Sequence, residues 1–260
     1  MIVSSLSRRF FRVWQRNMTV YRRIWKINFI PPLLEPLFYL FAFGAGLGAL
    51  VGSITYEGTA VSYIAYIAPA LLGINIMYNS FFENTYASFV RMYYQKTFDA
   101  MLATPLSIEE IIAGEIIWGA TKSVIATAIM LVIISLFGIV SFPAGLLILP
   151  LAFVGGVAFG SIGMFFTSLL PSIDSFNLPI FLFVTPMFLF SGTFFPLENL
   201  PSWAQRAAQA FPLTHLVNLC RSLALGTLGT GLLIDLLYLI VFSILFFPLA
   251  LRCMRRRLIT

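Results

Sequence analysis

Charge is what this sequence has least of. Only 10% of its 260 residues are Asp, Glu, Lys or Arg, against about 25% in a soluble domain. So few solvated groups cannot cover the surface of a water-soluble globule. Histidine occurs once and cysteine twice, so neither a His/Cys metal cluster nor a disulfide framework is expected. No Gly-Lys pair occurs, which excludes a Walker A loop on this chain. Gly44, Gly46, Gly48 and Gly52 do not form the dinucleotide fingerprint either. No Ser–His–Asp set is suggested by position around His215, and no carboxylates pair for acid–base work. Catalytic, cofactor and metal residues are therefore expected to be none.

What is abundant is apolar. Hydrophobic residues make up 60% of the chain. They gather into six blocks, about Ile30–Val51, Ser62–Phe82, Ile116–Phe137, Pro143–Thr167, Phe176–Phe195 and Leu232–Leu251. Each is near the roughly 20 residues a bilayer crossing requires, and a lone crossing must satisfy its backbone as a helix. The blocks are too continuous for barrel strands, which alternate over about 10 residues. The first block starts only after about 28 residues and lacks a small-residue cleavage site, so it is expected to be retained.

The net charge of +6 is placed by topology rather than by nucleic acid. Arg8, Arg9, Arg12, Arg16, Arg22, Arg23 and Lys26 precede the first block, and Arg91, Lys96 and Lys122 lie near the second and third. Arg252, Arg255, Arg256 and Arg257 follow the sixth. Putting both termini in the cytoplasm gathers all of these on the inner side and leaves only Arg206 and Arg221 outside. The expected fold is an all-α, multi-pass protein of the bacterial inner membrane with six transmembrane helices. Cys220 and Cys253 then fall on opposite sides and are not expected to pair.

Three segments outside the blocks carry information. In residues 1–28, Phe10, Trp14, Tyr21 and Trp25 recur among arginines at near-helical spacing, which predicts a basic amphipathic helix in the headgroup region. A plain positive-inside anchor is the alternative. Residues 29–260 are read as one transmembrane domain, with a large cytoplasmic loop at about 83–115. There Thr97–Ala103 is a short amphipathic stretch stopped by Pro105, and Ser107 with Glu110 matches a capping box opening a new helix. Such a knob suits a soluble partner, or is an ordinary connection. The outer insertion at about 192–230 holds two short helical stretches, one opening at Pro201 with Trp203 and one around Phe211–His215. They are expected to dip into the outer leaflet as re-entrant helices between spans five and six.

Glu35 is the charge most plainly embedded in a block, and an intramembrane carboxylate is a functional candidate. It is expected to pair with a base or to cap amides freed around Pro31, Pro32 and Pro36; proton coupling is the alternative. Phe38, Phe188 and Phe190 are, with Glu35, candidate pathway or gating residues, since aromatic faces stack on sugars and acyl chains alike. The same residues can simply face lipid. Among the outer helices Pro201, Trp203, His215 and Arg221 are singled out, with His215 expected to make a structural hydrogen bond. Gly156 and Gly160 are expected to serve helix packing within the chain.

Several motifs recur through nearly the whole chain. They include Glu35–Phe41 with the following glycines, Tyr63–Ala65, Phe89–Met92, Gln95–Leu102, Gly114–Lys122 and Thr185–Gly192. Phe195-Pro196, Leu200-Pro201, Pro212–His215 and Arg255–Leu258 complete the set. In these the sequence resembles ABC-2 type permeases, and among them the NodJ family of nodulation-factor exporters. One departure is that Glu35 stands where the family often has Asp, which keeps the charge. The resemblance implies a homodimer bound to two copies of a separate ABC ATPase subunit like NodI, which would carry the ATP and Mg. It implies that Lys96, Thr97, Phe98, Asp99, Met101, Leu102 and Pro105 belong to a coupling helix docking on that ATPase. It further implies export of an amphiphile such as a lipo-oligosaccharide, glycolipid or polysaccharide. Drug efflux by a related permease is the nearest alternative. An ion-coupled secondary transporter using Glu35 is the rival from another class, and the absence of a visible internal repeat weighs against it.

Overall fold

The computed structural model describes residues 7–56, 58–227, 229 and 231–259. Residues 1–6 of the amphipathic segment, Leu228 and Thr230 in the outer insertion, and the side chains of Pro36 and Ala45 lie outside the described residues. Helix α1 (Phe10–Arg23) is followed by α2 (Trp25–Val51) and a small antiparallel hairpin, β1 (Ser53–Tyr56) with β2 (Thr59–Ser62). Then come α3 (Tyr63–Tyr94), the short α4 (Thr97–Leu102), α5 (Ile108–Leu136) and α6 (Ala144–Leu169). The chain ends with α7 (Asp174–Phe190), the short α8 (Ser202–Gln209), α9 (Pro212–Leu225) and the long α10 (Gly231–Ile259).

Five helices, α2, α3, α5, α6 and α10, are long and apolar enough to cross a membrane. The expected fifth block forms the shorter apolar helix α7 instead. The expected cytoplasmic loop is shorter too. Helix α3 continues past Phe82 through two π-helical turns to Tyr94, and α5 begins at Ile108. Both ends of the expected loop are thus helical, because the charges that marked them as loop are paired with one another, as described below. The capping box forms as the sequence suggests: the Glu110 amide donates to Ser107 Oγ at 3.2 Å and the Ser107 amide donates to Glu110 Oε2 at 2.8 Å.

Two buried clusters build the interior. One gathers α3, α5, α6 and α9 through residues such as Tyr66, Leu72, Ile76, Phe159 and Leu216. The other gathers Val13, Phe89, Phe98, Ile112, Phe176 and Met254, which seats α1, α4 and the end of α10 against α3 and α5. Between them the helices cross at glycines. A Cβ on Gly156 would meet Ala120 Cα at 2.7 Å, and one on Gly160 would meet Ser80 Oγ at 2.7 Å. Both glycines serve contacts within the chain. At these crossings Ser80 Oγ donates to the Gly156 carbonyl at 2.5 Å and Thr167 Oγ1 to the Asn84 carbonyl at 2.7 Å. Such small-residue faces and interhelical hydrogen bonds hold helices together where lipid removes any hydrophobic drive.

The glycines of α2 do not act as a set. Gly44 lies against Ile64, whereas a Cβ on Gly46 would meet nothing within 4 Å. Helices α2 and α10 leave most of their apolar surface uncovered by this chain, with Phe41, Leu50, Leu233 and Ile234 exposed.

Gly156→Ala is expected to lower the thermal unfolding transition of the purified permease, since overpacking costs about 1–3 kcal/mol. Gly46→Ala should leave that transition unchanged within error.

Candidate functional site

At one end of the molecule α3 and α5 are tied by charges at mutual contact distance, and α1 joins them through Asn17. Glu83 and Arg91 lie two helical turns apart on one face of α3, and Glu115, Trp118 and Lys122 share one face of α5. Arg91 stands between the two carboxylates: its Nη1 is 2.8 Å from Glu83 Oε1 and its Nη2 is 2.6 Å from Glu115 Oε2. Lys122 Nζ reaches Glu83 Oε2 at 2.9 Å, and Trp118 Nε1 donates to Glu83 Oε1 at 3.0 Å. Ser88 Oγ donates to Glu115 Oε2 at 2.7 Å, and Asn17 Nδ2 of α1 donates to Glu115 Oε1 at 2.8 Å. Glu115 is fully buried and Glu83 nearly so. Two anions and two cations cancel, and the carboxylate oxygens are taken up by donors, the condition under which buried charge is tolerated.

From the sequence, Glu83 and Lys122 near the ends of apolar blocks read only as side chains that can snorkel, and Asn17, Glu115 and Trp118 carry no assigned role. The readable signal was spacing: Glu83 with Arg91 at i, i+8, and Glu115, Trp118 and Lys122 at i, i+3 and i+7, each on one helical face.

Helix α1 is bound to this cluster. Its face of Phe10, Val13, Trp14, Asn17 and Tyr21 lies on α5, where Gly114 gives room: a Cβ there would meet Val13 Cβ at 2.6 Å. Trp14 Nε1 donates to Thr121 Oγ1 at 2.9 Å, and the Tyr21 ring meets Trp118 edge-on with centroids 5.5 Å apart. Much of the aromatic face expected in the headgroups is thus spent on protein, while Trp25 stays exposed at the start of α2. Burial lowers the pKa of Arg16 from its usual value, with Glu115 acting in the opposite direction.

Helix α4 is a seated knob. Lys96 precedes it in the left-handed region at φ 52°. Phe98 is fully buried, and Met101, Leu102 and Leu106 pack against the same inner cluster. Lys96 and Asp99 project outward at 66% and 61% exposure, 3.9 Å apart. Ala100, Ala103 and Pro105 are also exposed, with Thr97 half-buried. Arg9 Nη1 donates to the Pro105 carbonyl at 2.8 Å, tying the knob to the start of α1. Of the expected coupling residues, Phe98 therefore anchors the knob and only its neighbours present a surface.

Beside the charged cluster lies a cavity of about 710 Å³. Helix α1 supplies Arg16 and Tyr21 to it, α2 supplies Asn28 and Glu35, and α3 supplies Tyr78 and Asn79. Among the described residues Glu35 has no ion pair or hydrogen bond; the expected base or cap is not there, and its carboxylate faces this cavity. Of the candidate aromatics, Phe188 stacks on Tyr78 with centroids 6.2 Å apart and touches Phe194 at 5.1 Å. Phe38 is exposed at 68% and does not line the cavity, and Phe190 is half-buried.

The other end of the molecule is organised by α9. Pro201 is the N-cap of α8, whose Trp203 is exposed, and Pro212 opens α9. Thr214 does not cap α9; its Oγ1 donates to the Ala208 carbonyl at 2.6 Å and so fastens α9 to α8. His215 does make structural contacts: Nδ1 lies 2.6 Å from Asp235 Oδ1 of α10 and Nε2 lies 2.9 Å from the Gln209 carbonyl. Arg221 is buried, with Nε donating to the Tyr66 carbonyl at 3.1 Å and Nη2 to the Gly192 carbonyl at 2.8 Å. Cys220 and Cys253 are both free thiols.

Arg91→Ala would leave Glu83 and Glu115 facing each other without their common partner. Breaking such a buried pair costs about 3–5 kcal/mol, read as a lowered unfolding transition and lost yield of folded protein. Adding Glu115→Gln should restore part of that loss; an additive or larger loss would show that the two residues act separately.

The geometry describes a helical protein with five helices long and apolar enough to cross a membrane, a cluster of paired charges at one end and a protruding knob. The ABC-2 type transporter family matches residues 8–225. Nodulation protein J of Rhizobium leguminosarum bv. trifolii is 36% identical over 247 residues, covering 95% of this chain and 93% of that protein. Nodulation protein J of Sinorhizobium fredii is 33% identical over 248 residues, with 95% and 93% covered. The inner membrane transport permease YadH of Escherichia coli is 24% identical over 236 residues, with 90% of each chain covered. On the extent of these matches, the chain belongs to the ABC-2 type transporter family.

Proposed function

We propose that this chain is the passage subunit of an ATP-driven exporter in the bacterial inner membrane. Two copies form the passage, and each docks one copy of a separate NodI-like ABC ATPase that carries ATP and Mg. Both termini face the cytoplasm, and α7 with the residues after it makes a sixth crossing beside the five long helices. The exported substrate is an amphiphile of the lipo-oligosaccharide, glycolipid or polysaccharide kind, and the likeness to Nodulation protein J supports that class.

The observation that carries the reading is the shared seat of the knob and the cavity wall. Phe98 of α4, Val13 of α1 and Ile112 of α5 belong to one buried cluster, and Asn17 of α1 is bonded to Glu115. Displacement of α4 by a docked ATPase would move α1 and α5 with it, because close-packed interiors transmit rather than absorb small shifts. Those helices bound the cavity beside Glu35, so the motion would reshape it. The lining mixes Tyr and Asn with charged groups, which suits a polar head carrying apolar parts. Drug efflux and ion coupling through Glu35 lack a comparable observation.

The docking arm of the reading is tested at exposed positions. The charge exchange Lys96→Glu with Asp99→Lys should weaken co-purification with the ATPase subunit roughly tenfold, about 1.4 kcal/mol. The permease itself should unfold at its usual temperature. Undiminished ATPase binding together with unimpaired export would overturn the docking assignment. Phe98→Ala, by contrast, should lower the unfolding transition, since truncating a buried Phe costs about 3–5 kcal/mol. For the ATP-driven arm, Glu35→Gln should leave transport dependent on ATP. Export by wild-type protein that survives loss of the ATPase and stops with this substitution would instead establish the ion-coupled rival.

A further inference from the structure

A second cavity, of about 320 Å³, lies at the opposite end of the molecule. Its wall includes Tyr66, and Tyr66 and Arg91 are 25 residues apart on α3 (91 − 66), roughly 37 Å along a helix. The volume is at the lower end of the roughly 300–1,000 Å³ of small-ligand sites. Helix α9 supplies Asn218, Arg221 and Ser222, the segment before α8 supplies Glu198, and α10 supplies Asp235.

The polar groups here are not used up by the fold. Arg221 is only 2% exposed. Its Nε and Nη2 donate to the Tyr66 and Gly192 carbonyls, its guanidinium carbon lies 3.8 Å from the centroid of the Tyr66 ring, and Nη1 has no partner among the described residues. No carboxylate among the described residues forms an ion pair with it. Likewise the Asn218 amide, the Ser222 hydroxyl and the Glu198 carboxylate make no side-chain hydrogen bond among the described residues. Asp235 gives one oxygen to His215 and keeps the other.

From this combination we infer that the cavity binds a neutral glycosyl ring. An anion would meet Glu198 and Asp235, and a cation would meet Arg221. An acyl chain would leave Arg221 Nη1, the half-buried Asn218 amide and the buried Ser222 hydroxyl without partners, at about 1–3 kcal/mol for a buried group. A polyhydroxylated ring satisfies every one of them. Its hydroxyls donate to the carboxylates and accept from the guanidinium and the amide. The inference rests on the exporter reading in one respect: the ring belongs to the cargo, held at the far end of its path.

The test uses the full chain with its ATPase subunit in lipid nanodiscs prepared without glycosidic detergent. Saturation-transfer NMR is recorded with methyl β-glucoside, with glucuronate as its anionic counterpart and with glucosamine as its cationic one. Saturable transfer to methyl β-glucoside is expected, weakened roughly tenfold by Asn218→Leu combined with Ser222→Ala, a change of about 1.4 kcal/mol. The charged sugars should bind more weakly than the neutral one. If the double variant unfolds, Glu198→Gln, at an exposed position, serves as the second variant and should weaken the same signal. Equal transfer in wild type and folded variants, no saturable transfer, or a preference for either charged sugar would overturn the site. Association with the ATPase is scored on the same samples. Sugar binding without ATPase association would support the site and sink the exporter reading. ATPase association without sugar binding would sink the site alone.

Discussion

A carboxylate taken out of water at the edge of a bilayer must find a cation that is taken out with it, or the helix bearing it cannot stay where it is. Arg91 meets that constraint for two carboxylates at once, Glu83 on its own helix and Glu115 on the next. The guanidinium fork suits such double engagement, which a point-charge ammonium would not match. Because Glu115 also accepts from Asn17, the cluster fixes the amphipathic N-terminal helix as well as the two long ones. Much else at this end follows. The Gly114 crossing lets α1 approach closely enough for that hydrogen bond. The pairing also lets α3 carry its charged residues inward and continue to Tyr94, leaving only residues 95–107 to form the knob.

The two ends of the molecule solve the buried-charge problem differently. Near the knob, charge is neutralised by opposite charge within hydrogen-bond distance. At the far end Arg221 is held by two backbone carbonyls and the face of Tyr66. Carbonyl dipoles and an aromatic face stabilise a cation without cancelling its charge. The first arrangement is closed, since its acceptors are matched to donors on neighbouring helices. The second keeps bonding capacity in reserve, beside a cavity.

Much of this was legible in the sequence, and the rest has identifiable reasons. The long apolar helices, the Ser107–Glu110 capping box, the short helices after Pro201 and Phe211 and the packing use of Gly156 and Gly160 all follow from local chemistry. Membership of the ABC-2 family was legible in motifs running through the chain. The charged cluster was not read, because pairing between α3 and α5 is a tertiary fact and charged residues taken singly look like loop or snorkelling positions. The same blindness hid Asn17, which is buried. The β1–β2 hairpin has short strands of mixed burial and gave no periodic signal. The resemblance implies a docking role for Phe98, and the six-residue helix around it is too short to reveal from sequence which face turns inward.

That inward turn of Phe98 separates two jobs within one short helix. Phe98, Met101 and Leu102 answer to the interior of this chain, while Lys96, Asp99, Ala100 and Ala103 lie exposed on its outside. Substitution at the outward positions leaves the inner cluster as it was, so recognition can drift without the fold being renegotiated. If the proposed docking holds, a duplicated copy of such a permease could exchange its motor through a few surface changes. Lineages descended from one scaffold would then diverge in their alliances before they diverged in architecture.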